Sequence, residues 1–296
     1  MFLSVITPTY NRAFILTECY KSLLAQTCKD FEWIVVDDGS SDDTESLINS
    51  FIEEKILDIK YVKQNNAGKH VAHNTGAALA SGEMFVCLDS DDQLTADAVE
   101  FAKQYWLKFG SQSVTGILAK RGSIATSEPI CGTWPIGLES STMFDLCNKY
   151  GFSGDTVLFF RTEILKEERF SVFEGERFMP ETDLYCEIDK YGEILLVDRV
   201  LYLTEYLPGG LTSKYHTLLE RNPNGAALTY YKQLCMANSP VLKAKYALLA
   251  NMYKFIGKKS NKVVFSKERL WICLTALPAF LMKKRLLKRF KSGEKS

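Results

Sequence analysis

Short apolar runs alternate with helical spacings along the first 110 residues. Four runs have the length and composition of strands that are buried on both faces, at 2–6, 31–36, 59–62 and 84–88. Between them, apolar residues recur every three or four positions at 16–24, 47–52 and 71–79, as on one face of a helix. Four strands joined by three crossover helices predict an α/β fold with a doubly wound, mostly parallel sheet.

Beyond residue 110 the apolar runs are less regular. Runs at 114–118, 157–160, 193–197 and 200–203 predict further strands, and we expect the last two to form a strand pair. From residue 211 onward the spacing is mostly helical, which predicts a helical C-terminal region.

Polar residues follow the ends of the first four predicted strands. The segments are TPTYNR at 7–12, DDGS at 37–40, NNAGK at 65–69 and DSDD at 89–92. Ligands of open α/β sheets bind in the crevice beyond the carboxyl ends of the strands. We therefore expect one ligand site, built from four loops, at this edge of the sheet.

The acidic segment that ends the fourth strand indicates a metal site. Asp89, Asp91 and Asp92 follow a buried run directly, and their mutual repulsion is costly unless a cation neutralises it. Hard carboxylate oxygens suit Mg²⁺ or Mn²⁺, which usually keep open positions for substrate phosphates. Asp92 has an alternative role as the N-cap of a helix that begins near Thr95.

Taken together, these segments resemble the family 2 glycosyltransferases, which have the GT-A fold. The matching segments are SVITPTYNR at 4–12, FEWIVVDDGSSDDT at 31–44, NNAGKHVAHNTGAALASGE at 65–83 and LDSDD at 88–92. The resemblance implies a GT-A catalytic domain over 1–210, with nucleotide-sugar binding in 1–110 and the acceptor half in 111–210. A mostly helical region would then occupy 211–296.

The resemblance implies an inverting transferase that moves a sugar from a nucleotide donor, expected to be a UDP-sugar, to a hydroxyl acceptor. Asp38 can accept a hydrogen bond from the uracil imide and Tyr10 can stack on the base. Asp91 is expected to bind the metal that bridges the two phosphates, with Asp89 on the ribose side or as a second ligand. The residues expected to contact the nucleotide are Pro8, Thr9, Tyr10, Arg12, Asp38, Asn66, Lys69 and Asp89.

Several of these residues have a structural alternative. Asp37 and Asp38 can cap the turn that follows their strand, and Lys69 can be a solvated lysine at a helix start. His73 stands where the family more often has Arg, and a neutral imidazole is expected there at pH 7. His70 and His73 are three residues apart, so they either bind a metal or pack within the fold.

The resemblance places the general base at a helix start in the second half of the catalytic domain. Here the candidates are Glu181 and Asp183, with Asp183 preferred, and both have the alternative of stabilising the helix dipole. The loop 206–212 is similar to the family's glycine-containing loop, which implies a lid over the donor. His216 follows it and is either a further metal ligand or a surface histidine.

The C-terminal tail differs in charge from the rest of the chain. Residues 254–296 contain 13 Lys or Arg and two Glu, although the whole chain has a formal net charge of zero. The uncharged segment 270–282 is shorter than the about 20 residues that span a bilayer. It predicts a segment that binds an anionic membrane surface, with a helix packed on the domain as the alternative. The apolar residues expected to share one side are Phe280, Leu286, Leu287 and Phe290.

The cysteines and the N-terminus indicate where in the cell the protein is expected. Eight cysteines show no CxxC pair, as expected of reduced thiols, and the N-terminus lacks a secretory signal. We expect a cytoplasmic protein, peripheral on the inner face of the membrane, that acts on a saccharide or lipid-linked saccharide acceptor and binds no nucleic acid. The alternatives are a non-catalytic sugar-binding or scaffold protein with a GT-A fold, or a metal-dependent phosphotransfer enzyme.

Overall fold

The computed structural model describes residues 1–205, 214–257 and 263–292, with side chains up to 283. The chain divides into two compact units. The sheet unit contains 1–170 and 187–205, and the helical unit contains 171–186 and the described residues from 214 onward. The expected functional boundary at residue 210 stays a prediction.

The sheet unit is built on a nine-stranded mixed sheet with the order β3-β2-β1-β4-β8-β6-β9-β5, and β7 pairs with β9. The strands are β1 Leu3–Thr9, β2 Phe31–Asp37, β3 Ile59–Lys63, β4 Met84–Cys87, β5 Gln93–Leu94, β6 Val114–Ser123, β7 Ser140–Ser141, β8 Thr156–Arg161 and β9 Glu193–Thr204. Strands β1 to β4 are parallel neighbours, which confirms the predicted α/β fold with a doubly wound sheet.

The predicted strand pair at 193–197 and 200–203 is wrong, because both runs belong to the single strand β9. The apolar pattern is interrupted at Asp198 and Arg199, where the pairing with β6 steps from Val197 to Val200. The two polar residues therefore form an irregularity within one strand rather than a turn between two.

Eleven helices lie within the described residues. Six are in the sheet unit: α1 Ala13–Leu24, α2 Thr44–Glu54, α3 Lys69–Leu79, α4 Ala98–Phe109, α5 Met143–Asn148 and α6 Thr162–Glu167. The others are α7 Thr182–Ile188, α8 Tyr215–Arg221, α9 Pro223–Met236, α10 Pro240–Ile256 and α11 Arg269–Ser292. The three helices predicted in the first 110 residues and the helical C-terminal region are confirmed.

Aromatic packing holds α1 and α2 against the sheet. Tyr20 stacks on Phe51 with ring centroids 3.9 Å apart, and both lie beside the fully buried Trp33 of β2. The Trp33 Nε1 donates to Thr7 Oγ1 at 2.9 Å, which satisfies the indole inside the core. This cluster fixes β1 and β2 and so positions the loops that leave their carboxyl ends.

A close helix contact positions the start of α3. A Cβ on Gly76 would lie 2.3 Å from Ile6 Cγ2, so α3 approaches β1 more closely than a side chain at that position allows. The helix therefore lies directly on the sheet, and its first residue, Lys69, lies at the carboxyl edge of the strands.

The helical unit has its own apolar core among α8 to α11, with buried side chains at Leu219, Ala226, Ala227, Met252, Tyr253 and Ala279. Among the described residues, no helix has the length and apolar content that crossing a membrane requires.

Candidate active site

The loops after β1 and β2 are joined by reciprocal hydrogen bonds. Asn11 has a left-handed backbone (φ 52°); its N–H donates to Ser40 Oγ at 2.8 Å and its Oδ1 accepts from Ser41 N at 2.8 Å. Asp42 Oδ2 accepts from Ala13 N at 3.1 Å, at the first turn of α1. These bonds connect the TPTYNR and DDGS segments and hold the two loops together.

Asp38 organises the loop that follows β3. Its Oδ1 accepts from Gln64 Nε2 at 2.8 Å and Ala67 N at 2.9 Å, and its Oδ2 accepts from Gly68 N at 2.8 Å. A carboxylate has about four acceptor positions, so one of them is left on Asp38. The structure shows that Asp38 shapes the loop after β3. A uracil contact by Asp38 stays a prediction.

Asp37 and Gly39 beside it have structural roles. Asp37 is fully buried and accepts from Ser40 N at 2.7 Å and Tyr61 Oη at 2.7 Å, as the turn-capping alternative predicts. Gly39 has φ +84°, and a Cβ there would lie 3.0 Å from Asn66 N. The loops after β2 and β3 therefore touch at a position that only glycine fits without strain.

Cations from two other loops neutralise the acidic segment. The Lys69 Nζ lies 2.7 Å from Asp89 Oδ1 and 2.9 Å from Oδ2, and Arg12 Nη1 lies 3.5 Å from Asp91 Oδ2. Burial acts to raise the pKa of Asp89, but the positive charges of Lys69 and Arg121 outweigh it, so the pKa lies below its usual value. The structure thus brings together Arg12, Lys69, Asp89 and Asp91 as the sequence predicts.

The side chain that holds the acidic segment in place was not found from the sequence. Tyr202 of β9 donates its hydroxyl to Asp92 Oδ2 at 2.7 Å and accepts from Asp89 N at 3.0 Å. Burial and the negative charge of Asp89 raise the pKa of Asp92 to about 6. The predicted N-cap role of Asp92 near Thr95 is wrong, because α4 begins at Ala98.

Three of the residues predicted to contact the nucleotide lie at or directly after the end of β1, and a fourth lies on the loop after β3. The Tyr10 side chain is about half exposed, so its ring is accessible for stacking. Thr9 is buried, and its Oγ1 has no hydrogen-bond partner among the described residues. Pro8 pairs with Val36 of β2, and Asn66 is partly exposed on the loop after β3. Nucleotide contacts by these four residues stay predictions.

His73 packs in the interior of the sheet unit. Its ring lies 4.9 Å from Phe85 and 5.0 Å from Phe170, and its Nδ1 has no hydrogen-bond partner in the described part of the chain. Burial, assisted by the positive charge of Lys69, lowers the pKa of His73 to about 3. A pKa this low keeps the imidazole neutral at pH 7, as expected from the sequence, and the packing alternative describes this residue.

The carboxylates of the acidic segment suit a divalent cation whose remaining coordination positions are filled by a substrate. Within 1–205, 214–257 and 263–283, no three His, Cys, Asp or Glu side chains form a cluster that holds a metal alone. Mg²⁺ and Mn²⁺ sites often use one or two carboxylates plus phosphate oxygens and water. Asp89 and Asp91 supply such a pair, and both are partly exposed.

The two candidates for the general base differ in their surroundings within the helical unit. Asp183 is fully buried, accepts from Ser171 N at 2.9 Å and is paired with Lys232, whose Nζ lies 2.6 Å from Oδ1. Glu181 is exposed immediately before α7, and its carboxylate accepts from Tyr185 Oη at 3.1 Å. A base has to reach the hydroxyl that it deprotonates, and which of these two carboxylates does so stays a prediction.

The remaining predicted features follow α7 along the chain. His216 is exposed beside Tyr215 in the helical unit, so its role as a metal ligand stays a prediction. The predicted lid at 206–212 lies outside the described residues.

The model of the glycosyl transferase family 2 matches residues 4–169, which is more than half of the chain and contains all four strand-end segments. The chain belongs to this family. The recognition made from the sequence is thereby confirmed, and the protein is a glycosyltransferase.

Relatives and solved structures agree with this family. The chain is 31% identical over 275 residues to the GalNAc(5)-diNAcBac-PP-undecaprenol beta-1,3-glucosyltransferase of Campylobacter jejuni, with 86% of each chain covered. It is 46% identical over 92 residues to a validoxylamine A glucosyltransferase of Streptomyces hygroscopicus, a match that covers 30% of this chain and 21% of that relative.

Solved structures confirm the GT-A fold. TarS 1–349 of S. aureus has a TM-score of 0.63 and 20% identity and covers 96% of this chain and 81% of that chain. The mannosyltransferase PcManGT of Pyrobaculum calidifontis has a TM-score of 0.57 and 18% identity, with coverages of 95% and 83%.

Proposed function

We propose that the protein is an inverting, metal-dependent glycosyltransferase that moves one sugar from a UDP-sugar to a hydroxyl of a lipid-linked saccharide, on the cytoplasmic side of a membrane. The observation that carries the proposal is the likeness to the C. jejuni enzyme over 86% of both chains, because the name of that enzyme specifies an undecaprenol-linked acceptor. The product would be an intermediate of a surface polysaccharide or glycolipid.

The UDP donor is supported by the loop chemistry and by one fold relative. TarS has been solved with UDP and with UDP-GlcNAc, and PcManGT with GDP-Man and Mn²⁺. Both nucleotide classes therefore occur on this fold. Here Asp38 retains an acceptor position that suits an imide N–H, and Tyr10 presents an accessible ring.

The acidic segment is the proposed diphosphate end of the site. Asp91, with Asp89, would hold Mn²⁺ or Mg²⁺, and that ion supplies Lewis-acid stabilisation of the leaving diphosphate. Lys69 and Arg12 stand next to these carboxylates and contribute positive charge at the same place. His216 is retained as a candidate further ligand.

Glu181 is the proposed general base. In an inverting displacement, the acceptor oxygen attacks the anomeric carbon from the face opposite the diphosphate while its proton passes to a carboxylate. The Glu181 carboxylate is exposed and accepts a hydrogen bond from Tyr185 Oη, whereas Asp183 is fully buried and already accepts from Lys232 and the Ser171 N–H.

Nucleotide binding is tested by thermal shift with UDP, GDP and dTDP, each with and without Mn²⁺. We expect stabilisation by UDP that requires the metal and is lost in Asp91→Asn. A larger increase in melting temperature with GDP would indicate a GDP-sugar donor instead. No increase with any nucleotide would contradict the proposed site.

The base is tested by kinetics of Glu181→Gln and Asp183→Asn on a lipid-linked acceptor. We expect Glu181→Gln to lower kcat by about 10²- to 10⁴-fold with an unchanged melting temperature. Asp183→Asn removes the negative charge that faces the partly buried Lys232 ammonium, so its main effect is expected on stability. Normal activity in Glu181→Gln, with a folded but inactive Asp183→Asn, would reverse the assignment.

A further inference from the structure

One face of α11 is fixed by its packing on α10. Thr275 and Ala279 are buried on that side. Asn251 of α10 donates through Nδ2 to the carbonyl of Ile272 at 2.8 Å and to Thr275 Oγ1 at 3.0 Å. These contacts define the face of α11 that packs on α10.

The opposite face of α11 is an exposed stripe of leucines. Leu270, Leu274, Leu277 and Leu281 are 68%, 61%, 69% and 52% exposed. Their spacings of four, three and four residues place them on one side of a helix, along about 17 Å of its length. Contiguous exposed apolar surface of this kind marks an interaction site, because it is costly to leave in water.

The charge that follows the leucine stripe indicates what covers it. The sequence continues the same spacing with Lys284 and Lys288, and the segment 283–291 contains six basic residues and no acidic residue. Leucines on one face of a helix that continues into a basic run are typical of helices that lie in the interface of an anionic membrane. A second copy packed on the stripe in parallel would bring a second basic run against the first, and the like charges would repel.

We propose that the leucine stripe of α11 and the basic segment after it bind the surface of an anionic lipid bilayer, with the helix lying in the plane of the interface. The stripe differs from the face predicted around Phe280, which packs edge-on against Phe255 of α10 with ring centroids 5.9 Å apart. The proposal needs neither donor nor acceptor and therefore stands apart from the proposed transfer reaction.

The test is flotation of the full-length protein with vesicles of phosphatidylcholine alone and of phosphatidylcholine with phosphatidylglycerol. We expect binding to the anionic vesicles that weakens with added NaCl. The double variant Leu274→Gln, Leu277→Gln is expected to lose at least about tenfold in vesicle affinity. Lys284→Gln, Lys288→Gln is expected to lose about 25-fold, since each cation near an anionic surface contributes about fivefold.

Leu107→Gln is the matched control, because Leu107 is 72% exposed on α4, outside the stripe. Its vesicle affinity should equal that of the unmodified protein, and a thermal melt of each variant verifies folding. Failure of the unmodified protein to bind anionic vesicles at low salt would overturn the proposal. So would equal losses in Leu107→Gln and in the stripe variant. A dimer in light scattering that the stripe variant dissociates, without vesicle binding, would assign the stripe to a second copy instead.

Discussion

Replacing His73 with Gln should remove the part of the pH dependence of stability that comes from burying this imidazole. His73 is buried between Phe85 and Phe170, and burial lowers its pKa from the ordinary 6.5 to about 3. The unfolded chain therefore binds a proton in a pH range in which the folded protein does not. Linkage then requires the free energy of unfolding to fall as the pH decreases below about 6.5, and to fall until the pH reaches about 3.

The magnitude follows from the two pKa values. Each pH unit below the unfolded pKa favours the unfolded chain by about 1.4 kcal/mol until the folded group also protonates. At pH 5 the loss attributable to His73 is therefore about 2 kcal/mol relative to pH 7.5. Carboxylates also titrate toward pH 5, so the prediction concerns the difference between two proteins rather than either curve alone.

Urea unfolding at pH 5.0 and 7.5, followed by tryptophan fluorescence, measures this difference. The His73→Gln protein should lose about 2 kcal/mol less than the unmodified protein on going from pH 7.5 to 5.0. His216→Gln is the control, because it removes an exposed imidazole and leaves the buried His73 in place. Equal pH responses of the unmodified and His73→Gln proteins would refute the inference that the buried imidazole is neutral.

Three further predictions concern the loops that carry the site. Tyr202→Phe should lower the free energy of unfolding by about 1–3 kcal/mol, because Asp92 and the Asp89 N–H each lose a hydrogen bond. Tyr150→Phe, at an exposed position, should change it by under about 0.5 kcal/mol in urea melts. Gly39→Ala should lower the free energy of unfolding by more than Gly137→Ala does. Both glycines have positive φ, but only a Cβ at Gly39 meets neighbouring backbone, so equal losses of stability would contradict this. Asp42→Ala should lower the free energy of unfolding by about 0.5–1.5 kcal/mol, because the N–H groups of Ala13 and Thr44 lose their acceptor, and no change in melting would contradict this.

Strands β1 and β2 could be predicted because they are buried on both faces and consist mainly of apolar residues. The same rule failed in β9, where Asp198 and Arg199 interrupt the run without ending the strand. Their charges are satisfied by Lys120 and Asp97, which are distant in the sequence, so the strand continues through polar positions. Local pattern alone does not contain such pairings.

The site was predictable where its residues lie in strand-end loops and not where a distant side chain sets a residue's environment. Tyr202 lies 110 residues from Asp92, and no spacing in the sequence relates the two. Asp183 was preferred over Glu181 from the helix-start pattern alone. Its burial depends on Lys232, 49 residues further on, and this long-range contact changes which carboxylate is accessible.

The contacts among the four loops also limit what a substitution in one of them can prove. Asp38 holds the backbone of the loop that leads into α3, and Lys69 at the start of α3 holds Asp89. Loss of activity in Asp38→Asn would therefore follow from a lost uracil contact or from a displaced Lys69. Binding of UDP compared with inorganic pyrophosphate separates the two. A lost base contact weakens only UDP, whereas a displaced Lys69 weakens both, because pyrophosphate has the diphosphate charge without the base.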